Sequence, residues 1–348
     1  MILRRSNNSK RTELEVLFVG SGAVNLCLAG WMHSEVGSAS FLVRTEDNEL
    51  IRSSSFRCRL PGYANERLFP CKAFTSLQGR KKPDLIVMGV KSYSLDEVVA
   101  KLVESFGDQV PVISVLNGVR HVEVIGKKFP NAVFATIAFN AFRTSPNAAV
   151  AVGNVIGLSS FDKKSTMLRT LRSMLQYKLN IRVLSSPMDA AHTKLVVNLG
   201  NALLAIVGFH DNRTRELAVL QRLTASIMWE GVQVMRKHGV NEARLPGMPS
   251  WKLIWLSKVL PAFIILPVFE RKMRATAINS MAQDLKAGSS HTELEDINGY
   301  LIELADRVAV PVPINRALFH IFNEWLQEGA QPISPSDLDS RINSFSNR

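Results

Sequence analysis

Cysteine is scarce in this sequence, and the few cysteines present form no recognisable site. The 348 residues include three, Cys27, Cys58 and Cys71. An odd number without metal-ligand spacing argues against a disulfide scaffold and predicts no metal site. Free thiols are typical of a reducing compartment, so we expect a cytoplasmic protein.

The chain also lacks a clean hydrophobic run long enough to span a membrane. Its most apolar stretch, 251–269, reads WKLIWLSKVLPAFIILPVF and contains two lysines and two prolines. A spanning helix needs ~20 predominantly apolar residues, and here the prolines interrupt the run. We expect a lid or insertion packed on the protein, with contact at a membrane interface as the alternative.

Acidic side chains are outnumbered, 30 against 42 basic ones, which gives a net charge of +12. Such a balance attracts anions of several kinds. The basic residues are scattered and no nucleic-acid-binding motif accompanies them, so we expect no nucleic-acid partner. A phosphate-bearing cofactor accounts for the charge. The basic stretch 1–13 precedes no apolar run of the kind found in a secretory signal, and it is predicted to be a disordered tail.

The two halves of the chain differ in texture, and the length suffices for two domains. As far as residue 187, short apolar runs alternate with helical stretches, which is typical of βαβ units. Beyond it, helical periodicity dominates. We predict an α/β fold with a Rossmann-type dinucleotide-binding domain over 14–187 and an all-helical C-terminal domain over 188–328. The Ser- and Pro-rich stretch 329–348 is predicted to be a second tail.

The first domain yields a set of predicted elements. Strands are predicted at 14–20, 39–44, 84–91, 110–116 and 181–184, and helices at 23–33, 94–106, 119–128 and 164–177. Two further apolar runs, 133–143 and 148–158, predict a hairpin or a pair of edge strands. Ligands in such folds bind at the carboxyl ends of the strands and in the cleft between domains.

A glycine-rich turn follows the first predicted strand and opens a helix. It reads Gly20-Ser21-Gly22-Ala23-Val24-Asn25. Glycines at the first and third positions let the backbone approach a pyrophosphate at the helix N-terminus. Asn25 replaces the third glycine of the fingerprint, which we expect to weaken close packing of the helix on the strand. The position of the motif inside a βαβ unit predicts a dinucleotide site.

Polar residues end three later strands. Arg44 ends the second, where a guanidinium suits the 2′-phosphate of NADP and an acidic residue would suit NAD. A solvated surface arginine is the alternative. Lys91 and Asn117 follow two further strands, at the side of the sheet where the nicotinamide end of a cofactor would lie.

A helical run in the second half carries a charge and two amides among apolar residues: Lys194, Asn198 and Asn201. Steps of four and seven residues return to within roughly 40° and 20° of the same direction, so the three side chains share one helix face. Such groups are costly to bury unless they are satisfied or used. The alternative is a lysine that reaches solvent and amides bonded to nearby backbone.

A second polar cluster lies between Ser280 and Tyr300. A helix through Ser280 is predicted to end near Gly288, and Thr292-Glu293 opens another. Ser280 and Glu293 are therefore predicted to point into one cleft. The alternative assigns the hydroxyls to a helix cap and the acids to a solvated first turn.

With these motifs in order, the chain resembles the ketopantoate reductase family (2-dehydropantoate 2-reductases) from about residue 14 to 322. The motifs that carry the resemblance are Gly20-Ser-Gly22, Val90-Lys91, Leu116-Asn117-Gly118, Lys194-Leu-x-x-Asn198, Ser280-Met-x-Gln-Asp284, Thr292-Glu293 and Ile297-Asn298-Gly299. The resemblance implies an NADPH-binding Rossmann domain, a helical substrate domain and reduction of a 2-oxo acid to a 2-hydroxy acid. The first substrate to expect is ketopantoate, which becomes pantoate.

The resemblance also implies roles for single residues. Lys194 would be the general acid at the keto oxygen, and Glu293 would hold the substrate's distal hydroxyl and orient the lysine. It implies substrate contacts for Asn117, Asn198 and Ser280 and cofactor contacts for Arg44, Lys91 and Asn117. The shared helix face adds Asn201 to the predicted substrate-binding set, and the glycine-rich turn adds Gly20, Ser21, Gly22, Ala23, Val24 and Asn25 to the predicted cofactor-binding set.

Two departures from the family pattern bear on the substrate. The second asparagine after the lysine commonly falls at the eighth position and precedes proline, whereas here Asn201 falls at the seventh and precedes Ala202. The stretch 251–269 is an expansion. A related dehydrogenase for another hydroxy or amino acid and a non-catalytic NADPH-binding regulator therefore remain alternatives, and both a monomer and a homodimer remain open.

Overall fold

The computed structural model describes two compact units. The described residues are 14–36, 39–46, 48–208, 214–275, 281–282, 285 and 292–346. One unit extends to Ala191 and includes Leu245–Gly247; the other comprises His192–Arg244 and the chain from Met248 onward. The tail predicted at 1–13 lies outside the described residues.

An eleven-stranded sheet is the frame of the N-terminal unit, in the order β11-β10-β7-β6-β5-β1-β2-β4-β3-β9-β8. The strands are β1 Val16–Val19, β2 Ala39–Leu42, β3 Ser55–Arg59, β4 Arg67–Phe74, β5 Leu85–Met88, β6 Val112–Ser114, β7 Val133–Ile137, β8 Asn140–Ser145, β9 Ala148–Val152, β10 Val155–Ser159 and β11 Asn180–Val183. From β4 through β2, β1, β5 and β6 to β7, neighbours run parallel. Parallel neighbours require crossover connections, so the Rossmann-type fold is confirmed.

The centre of the sheet explains why its strands are continuously apolar. Every residue of β1 and of β5 is buried, as expected for strands that are covered on both faces. Phe18 of β1 is in register with Phe41 on one side and Val87 on the other. Just past the strands, the Gly20 amide donates to the Leu42 carbonyl at 2.9 Å, and the Gly89 amide donates to the Val19 carbonyl at 3.1 Å.

The two apolar runs after residue 130 each contain two strands. β8 and β9 form an antiparallel hairpin, and β7 pairs antiparallel with β10. The predicted hairpin is therefore present, but each run breaks in the middle and contributes to two pairs. β3 and β4 lie outside the predicted strands. In β3 the buried Phe56 and Cys58 alternate with the exposed Arg57 and Arg59, an alternation typical of a half-buried strand that the prediction missed.

Helices of the N-terminal unit cross between these strands. They are α1 Ala23–Val36, α2 Glu49–Ser53, a 3-10 turn Ser92–Ser94, α3 Leu95–Phe106, α4 Arg120–Lys128 and α5 Thr166–Leu175. Side-chain caps fix two of the starts, because Asn48 accepts from the Leu50 amide and Ser165 accepts from the Leu168 amide. The three predicted helices before residue 130 are all present.

The described part of the C-terminal unit is helical, as predicted. Its helices are α6 Pro187–Asn198, which begins in the first unit, α7 Gly200–Val207, α8 Thr214–Lys237, α9 Trp251–Val259, α10 Ala262–Ala275, a π-helical turn Glu295–Gly299, α11 Tyr300–Arg307, α12 Pro313–Gln327 and α13 Pro335–Ser346. The long helix α8 contacts α7 and each of α9 to α13. Its buried residues Ile227, Val232 and Met235 supply the centre of this helical core.

The stretch 329–348, predicted as a tail, contains the helix α13. Ser334 caps it, because its Oγ accepts from the Asp337 amide at 3.1 Å. Leu338 and Ile342, four residues apart, are both buried. Polar composition concealed this helix, whose narrow apolar stripe has only the few members needed for docking.

The apolar stretch 251–269 forms the end-to-end pair α9 and α10. Trp251, Ile254 and Met273 of this pair are buried, whereas Phe263 is 76% exposed and Val268 is 60% exposed. Among the described residues, Pro187–Val207 is long and apolar enough to qualify by length and composition as a membrane span, and 67% of its most apolar window is buried within the protein. A buried apolar helix of that length is also typical of a protein core.

Candidate active site

Gly20 occupies a position that only glycine fits. Its φ is +91°, and a Cβ there would lie 2.8 Å from the Gly89 carbonyl oxygen. Gly22 differs, since a Cβ there would have its nearest neighbour at 4.0 Å. The fold itself therefore does not require glycine at position 22, which is exposed. A small residue at this helix start leaves room for a ligand phosphate, as the dinucleotide fingerprint predicts.

Asn25 fills the place of the missing third glycine without loosening the turn. Its side chain is 1% exposed. The Nδ2 donates to the Val19 carbonyl at 3.0 Å and to the Gly20 carbonyl at 2.8 Å. A Cβ on Gly89 would meet the Asn25 Oδ1 at 2.5 Å. The expected weakening of helix packing on the strand is thus not what the geometry shows. The close approach that needs a glycine occurs at Gly89, just after the neighbouring strand β5.

Two residues outside the predicted set hold Ser21 in the turn. Asn48 donates to the Ser21 Oγ at 3.3 Å, and Arg143 donates to the Ser21 carbonyl at 2.7 Å. The Arg143 guanidinium adds positive charge beside the glycine turn, where a pyrophosphate would need it. Neither contact has a local sequence signal, because Asn48 is 27 positions and Arg143 is 122 positions away from Ser21.

The other predicted cofactor residues lie at the same edge of the sheet. Arg44 follows β2, Lys91 follows β5, and Asn117 follows β6. β2 and β5 are the two neighbours of β1, and β6 lies beside β5. Arg44 is exposed and donates to the Tyr93 hydroxyl at 2.7 Å, with its guanidinium 5.0 Å from the ring centre. Tyr93 therefore contacts Arg44 through both its hydroxyl and its ring, and both side chains remain exposed.

In the C-terminal unit, Lys194, Asn198 and Asn201 lie along one side of the pair α6 and α7. All three are partly exposed, whereas Leu195 and Leu203 between and beside them are buried. The predicted single run is assigned as two helices that meet at Leu199, whose backbone stays in the right-handed helical region. The three polar side chains therefore follow one stripe, as predicted.

The environment of Lys194 lowers its basicity. Burial lowers the pKa of Lys194 from its ordinary value to about 8, and the negative charge of Glu293 acts in the opposite direction. Glu293 is partly exposed and precedes the π-helical turn. An ammonium group with this pKa is protonated at neutral pH and gives up its proton more readily than a free lysine.

Ser280, with Gln283 and Asp284 of the same motif, lies outside the described residues. Within the described ranges no group of three or more His, Cys, Asp and Glu side chains is arranged to hold a metal ion. The three cysteines are free and buried.

Two family models match the chain in succession. The model described as ketopantoate reductase PanE/ApbA matches residues 16–157, and the model of its C-terminal domain matches residues 187–326. A 2-dehydropantoate 2-reductase of Pyrococcus horikoshii is 22% identical over 310 residues, which cover 88% of this chain and 95% of that protein.

Solved structures show the same fold. D-mandelate dehydrogenase in a ternary structure with NADH and anilino(oxo)acetate has a TM-score of 0.71 at 17% identity, covering 95% of this chain and 99% of that chain. Dimeric ketopantoate reductase from Staphylococcus aureus has a TM-score of 0.64 at 17% identity, covering 90% of this chain and 99% of that chain. The paired models match most of the sequence, and the chain accordingly belongs to the ketopantoate reductase family and is an oxidoreductase.

Proposed function

We propose that the protein uses NADPH to reduce a 2-oxo acid to a 2-hydroxy acid, with 2-dehydropantoate as substrate and Lys194 as general acid. The observation that carries the proposal is Lys194, with its pKa lowered to about 8 beside Glu293. Its amide companions Asn198 and Asn201 lie on the same stripe. We place the reaction in the cytoplasm, because three unpaired cysteines suit a reducing compartment.

In the proposed reaction, different residues bind the substrate and transfer the proton. A bound nicotinamide supplies the hydride. As negative charge grows on the keto oxygen, the Lys194 ammonium stabilises it and donates a proton, a contribution of roughly 10²- to 10⁴-fold. The Asn198 and Asn201 amides bind substrate oxygens. Glu293 holds the distal hydroxyl and keeps the lysine oriented.

The glycine turn supports the cofactor half of the proposal. Exposed backbone at Gly22 and the N-terminus of α1 suit a pyrophosphate. Arg44, oriented by Tyr93, suits the 2′-phosphate that distinguishes NADPH from NADH. Arg143 adds a second cation next to the turn. Lys91 and Asn117 complete the proposed set at this edge.

The test follows NADPH oxidation with 2-dehydropantoate and a panel of 2-oxo acids. We expect Lys194→Ala to lower kcat by roughly 10²- to 10⁴-fold with unchanged binding of NADPH. Lys252→Ala, at an exposed lysine of the same unit, is the matched control and should behave as wild type. Undiminished turnover by Lys194→Ala would remove Lys194 from the proposed role.

A different 2-oxo acid is the second candidate substrate. The asparagine at position 201, one residue earlier than the family pattern, shifts an amide along the helix, and the fold is shared with a D-mandelate dehydrogenase. The same panel therefore includes benzoylformate, the 2-oxo acid that corresponds to mandelate. A kcat/KM for 2-dehydropantoate at least as high as for any other compound would reject this candidate. NADPH binding without turnover of any 2-oxo acid would favour the regulator instead.

For the exposed face of α9 and α10 we propose contact with an anionic membrane surface. Phe263, Ile264 and Val268 of α10 are exposed, and the basic residues Arg271 and Lys272 follow on the same helix. Apolar side chains beside basic ones are typical of helices that lie in a lipid interface.

The corresponding experiment sediments the protein with vesicles at physiological salt. We expect binding to vesicles of phosphatidylcholine with phosphatidylglycerol and weak binding to phosphatidylcholine alone. Phe263→Glu should lose binding, while Leu68→Glu, at an apolar residue of similar exposure in the other unit, should retain it. Absence of vesicle binding would reject the membrane proposal and indicate no partner. A molecular mass that doubles with protein concentration, and returns to the monomer value in Phe263→Glu, would instead indicate a second copy.

A further inference from the structure

A buried amide is bonded where the lysine-bearing helix is interrupted. The Asn298 Nδ2 donates to the Leu199 carbonyl at 3.3 Å. Leu199 lies between α6 and α7, one residue after Asn198. A side chain that bonds a carbonyl of the helix ladder commonly marks such an interruption. Asn298 itself belongs to the π-helical turn that follows Glu293.

Asn298 is the near end of a chain of buried polar groups. Its Nδ2 is 3.5 Å from the Oδ1 of Asn315, at the outer limit of a hydrogen bond. The Asn315 Nδ2 donates to the Glu230 carboxylate at 2.8 Å. Asn298 and Asn315 are 0% exposed and Glu230 is 6% exposed. Buried polar side chains are retained at a cost, so a chain of three calls for a purpose.

Glu230 is held rigidly at the far end of this chain. Its carboxylate also accepts from the backbone amides of Ile314 and Asn315, both at 3.0 Å. These amides belong to the first turn of α12, where a negative charge is favourable. The Glu230 carboxylate therefore fixes Asn315, and Asn315 supports the orientation in which Asn298 meets Leu199.

A second hydrogen bond joins the same two segments on the other side of Lys194. His192, two residues before the lysine, lies 2.9 Å from the Tyr300 hydroxyl, and Tyr300 directly follows the π-helical turn. His192 is 2% exposed. Lys194 thus lies between two ties, at His192 and Leu199, to the segment that begins with Glu293.

We propose that Asn298, backed by Asn315 and Glu230, and the His192–Tyr300 pair are positioning residues that hold the Lys194 helix against the Glu293 segment. None of them needs to touch substrate. Their effect is to keep the ammonium of Lys194 at a fixed distance from the Glu293 carboxylate. This inference rests on the proposed role of Lys194 as the acid.

The test uses Asn298→Leu, which removes the hydrogen bond while keeping a side chain of similar volume. It also removes the Asn298 Oδ1, which is buried and has no partner among the described residues, so the variant is expected to fold. Asn323→Leu is the matched control. The Asn323 Nδ2 also donates to a backbone carbonyl, that of Phe319 at 3.1 Å within α12, but Asn323 is not one of the three linked polar residues. Tyr300→Phe is a milder second variant that removes the hydroxyl bonded to His192.

Two readouts separate positioning from bulk stability. We expect Asn298→Leu to lower kcat about tenfold with little change in NADPH binding, and Tyr300→Phe to act in the same direction. In protein labelled with ¹³C-lysine and assigned with Lys194→Arg, the NMR titration of Lys194 should move upward by about one pH unit in both variants, since a loosened helix admits water. Asn323→Leu should alter neither quantity.

Wild-type kcat together with an unmoved Lys194 titration in folded Asn298→Leu and Tyr300→Phe would overturn the inference. The titration does not depend on turnover. Failure of the proposed function is recognised separately, by undiminished activity of Lys194→Ala, so the two failures are distinguishable.

Discussion

At the scale of single residues, the ionisation of Lys194 sets the pH range of the proposed reaction. A general acid acts in its protonated form, and this form is lost as the pH rises through a pKa of about 8. We expect kcat/KM for reduction to be level below pH 8 and to fall about tenfold per pH unit above it. Steady-state rates measured across this pH range test this decrease, the alkaline limb of the pH profile.

Glu293→Gln tests the cause of this limb. The charge of Glu293 raises the pKa of Lys194 against the effect of burial, so its removal should shift the alkaline limb to lower pH. Glu303→Gln, at an exposed acid on α11, is the control and should leave the limb in place. A limb that stays put in Glu293→Gln would contradict the assigned coupling.

Arg44 carries the prediction on cofactor choice. A charge-assisted contact to phosphate contributes about 1.5 to 3 kcal/mol, so Arg44→Ala should raise the KM for NADPH roughly 10- to 100-fold and leave that for NADH nearly unchanged. Tyr93→Phe should produce a smaller effect in the same direction, since it removes only the hydroxyl that Arg44 contacts. Equal losses for both cofactors would assign Arg44 a purely structural role.

Some residues of the candidate site are readable from the sequence and others are not, for a physical reason. Lys194, Asn198 and Asn201 are related by helical period alone, which local spacing reveals. Asn298 meets Leu199 across 99 positions, and Arg143 meets Ser21 across 122. Such contacts depend on which elements pack together, and no short-range pattern encodes them.

At the scale of elements, the ends of β1 and β5 are interlocked by Asn25 and Gly89. A methyl group on Gly89 would overlap the Asn25 amide, with its Cβ 2.5 Å from Oδ1. We expect Gly89→Ala to destabilise the fold by about 1 to 3 kcal/mol and to weaken NADPH binding. Urea unfolding and cofactor titration measure the two effects.

The double variant Asn25→Gly/Gly89→Ala distinguishes interlocking from separate damage. It restores glycine at the third position of the fingerprint and relieves the overlap, so its loss of stability should be smaller than the sum of the two single losses. Simple additivity would show that the two positions act independently.

Helix α13 gives a second prediction at this scale. Leu338 is 0% exposed, so Leu338→Ala should cost about 2 to 5 kcal/mol of unfolding free energy. Ser336→Ala, an exposed position on the same helix, should change it by less than about 0.5 kcal/mol. Equal, small effects in urea denaturation would mean that 335–346 behaves as the tail suggested by its composition.

Composition alone misjudged α13 but not the more apolar elements. β1 and β5 are continuous apolar runs, and α3 repeats apolar residues at the helical period, so all three are recognisable. A helix that docks through two or three side chains leaves too short a pattern, and β3 likewise buries only Phe56 and Cys58.

At the scale of the whole molecule, cofactor binding should stabilise the folded chain. A ligand at a hundred times its Kd adds about 2.7 kcal/mol to the unfolding free energy of the unit that binds it. Scanning calorimetry with NADPH should show a raised transition, and NADH at the same concentration should raise it less. In Arg44→Ala the difference between the two cofactors should disappear; a difference that persists would place the selectivity elsewhere.

Among the described residues, β11 and β8 are the two end strands of the sheet, and neither is suited to further pairing. At one end, β11 has only the four residues Asn180–Val183, including the charged Arg182. At the other, β8 has an irregular register between Arg143 and Ser145. Short, charged or bulged edges discourage strand addition from a neighbouring molecule. An eleven-stranded sheet would otherwise offer a template for aggregation, so we expect these two strands to limit strand addition between molecules at high concentration and during refolding.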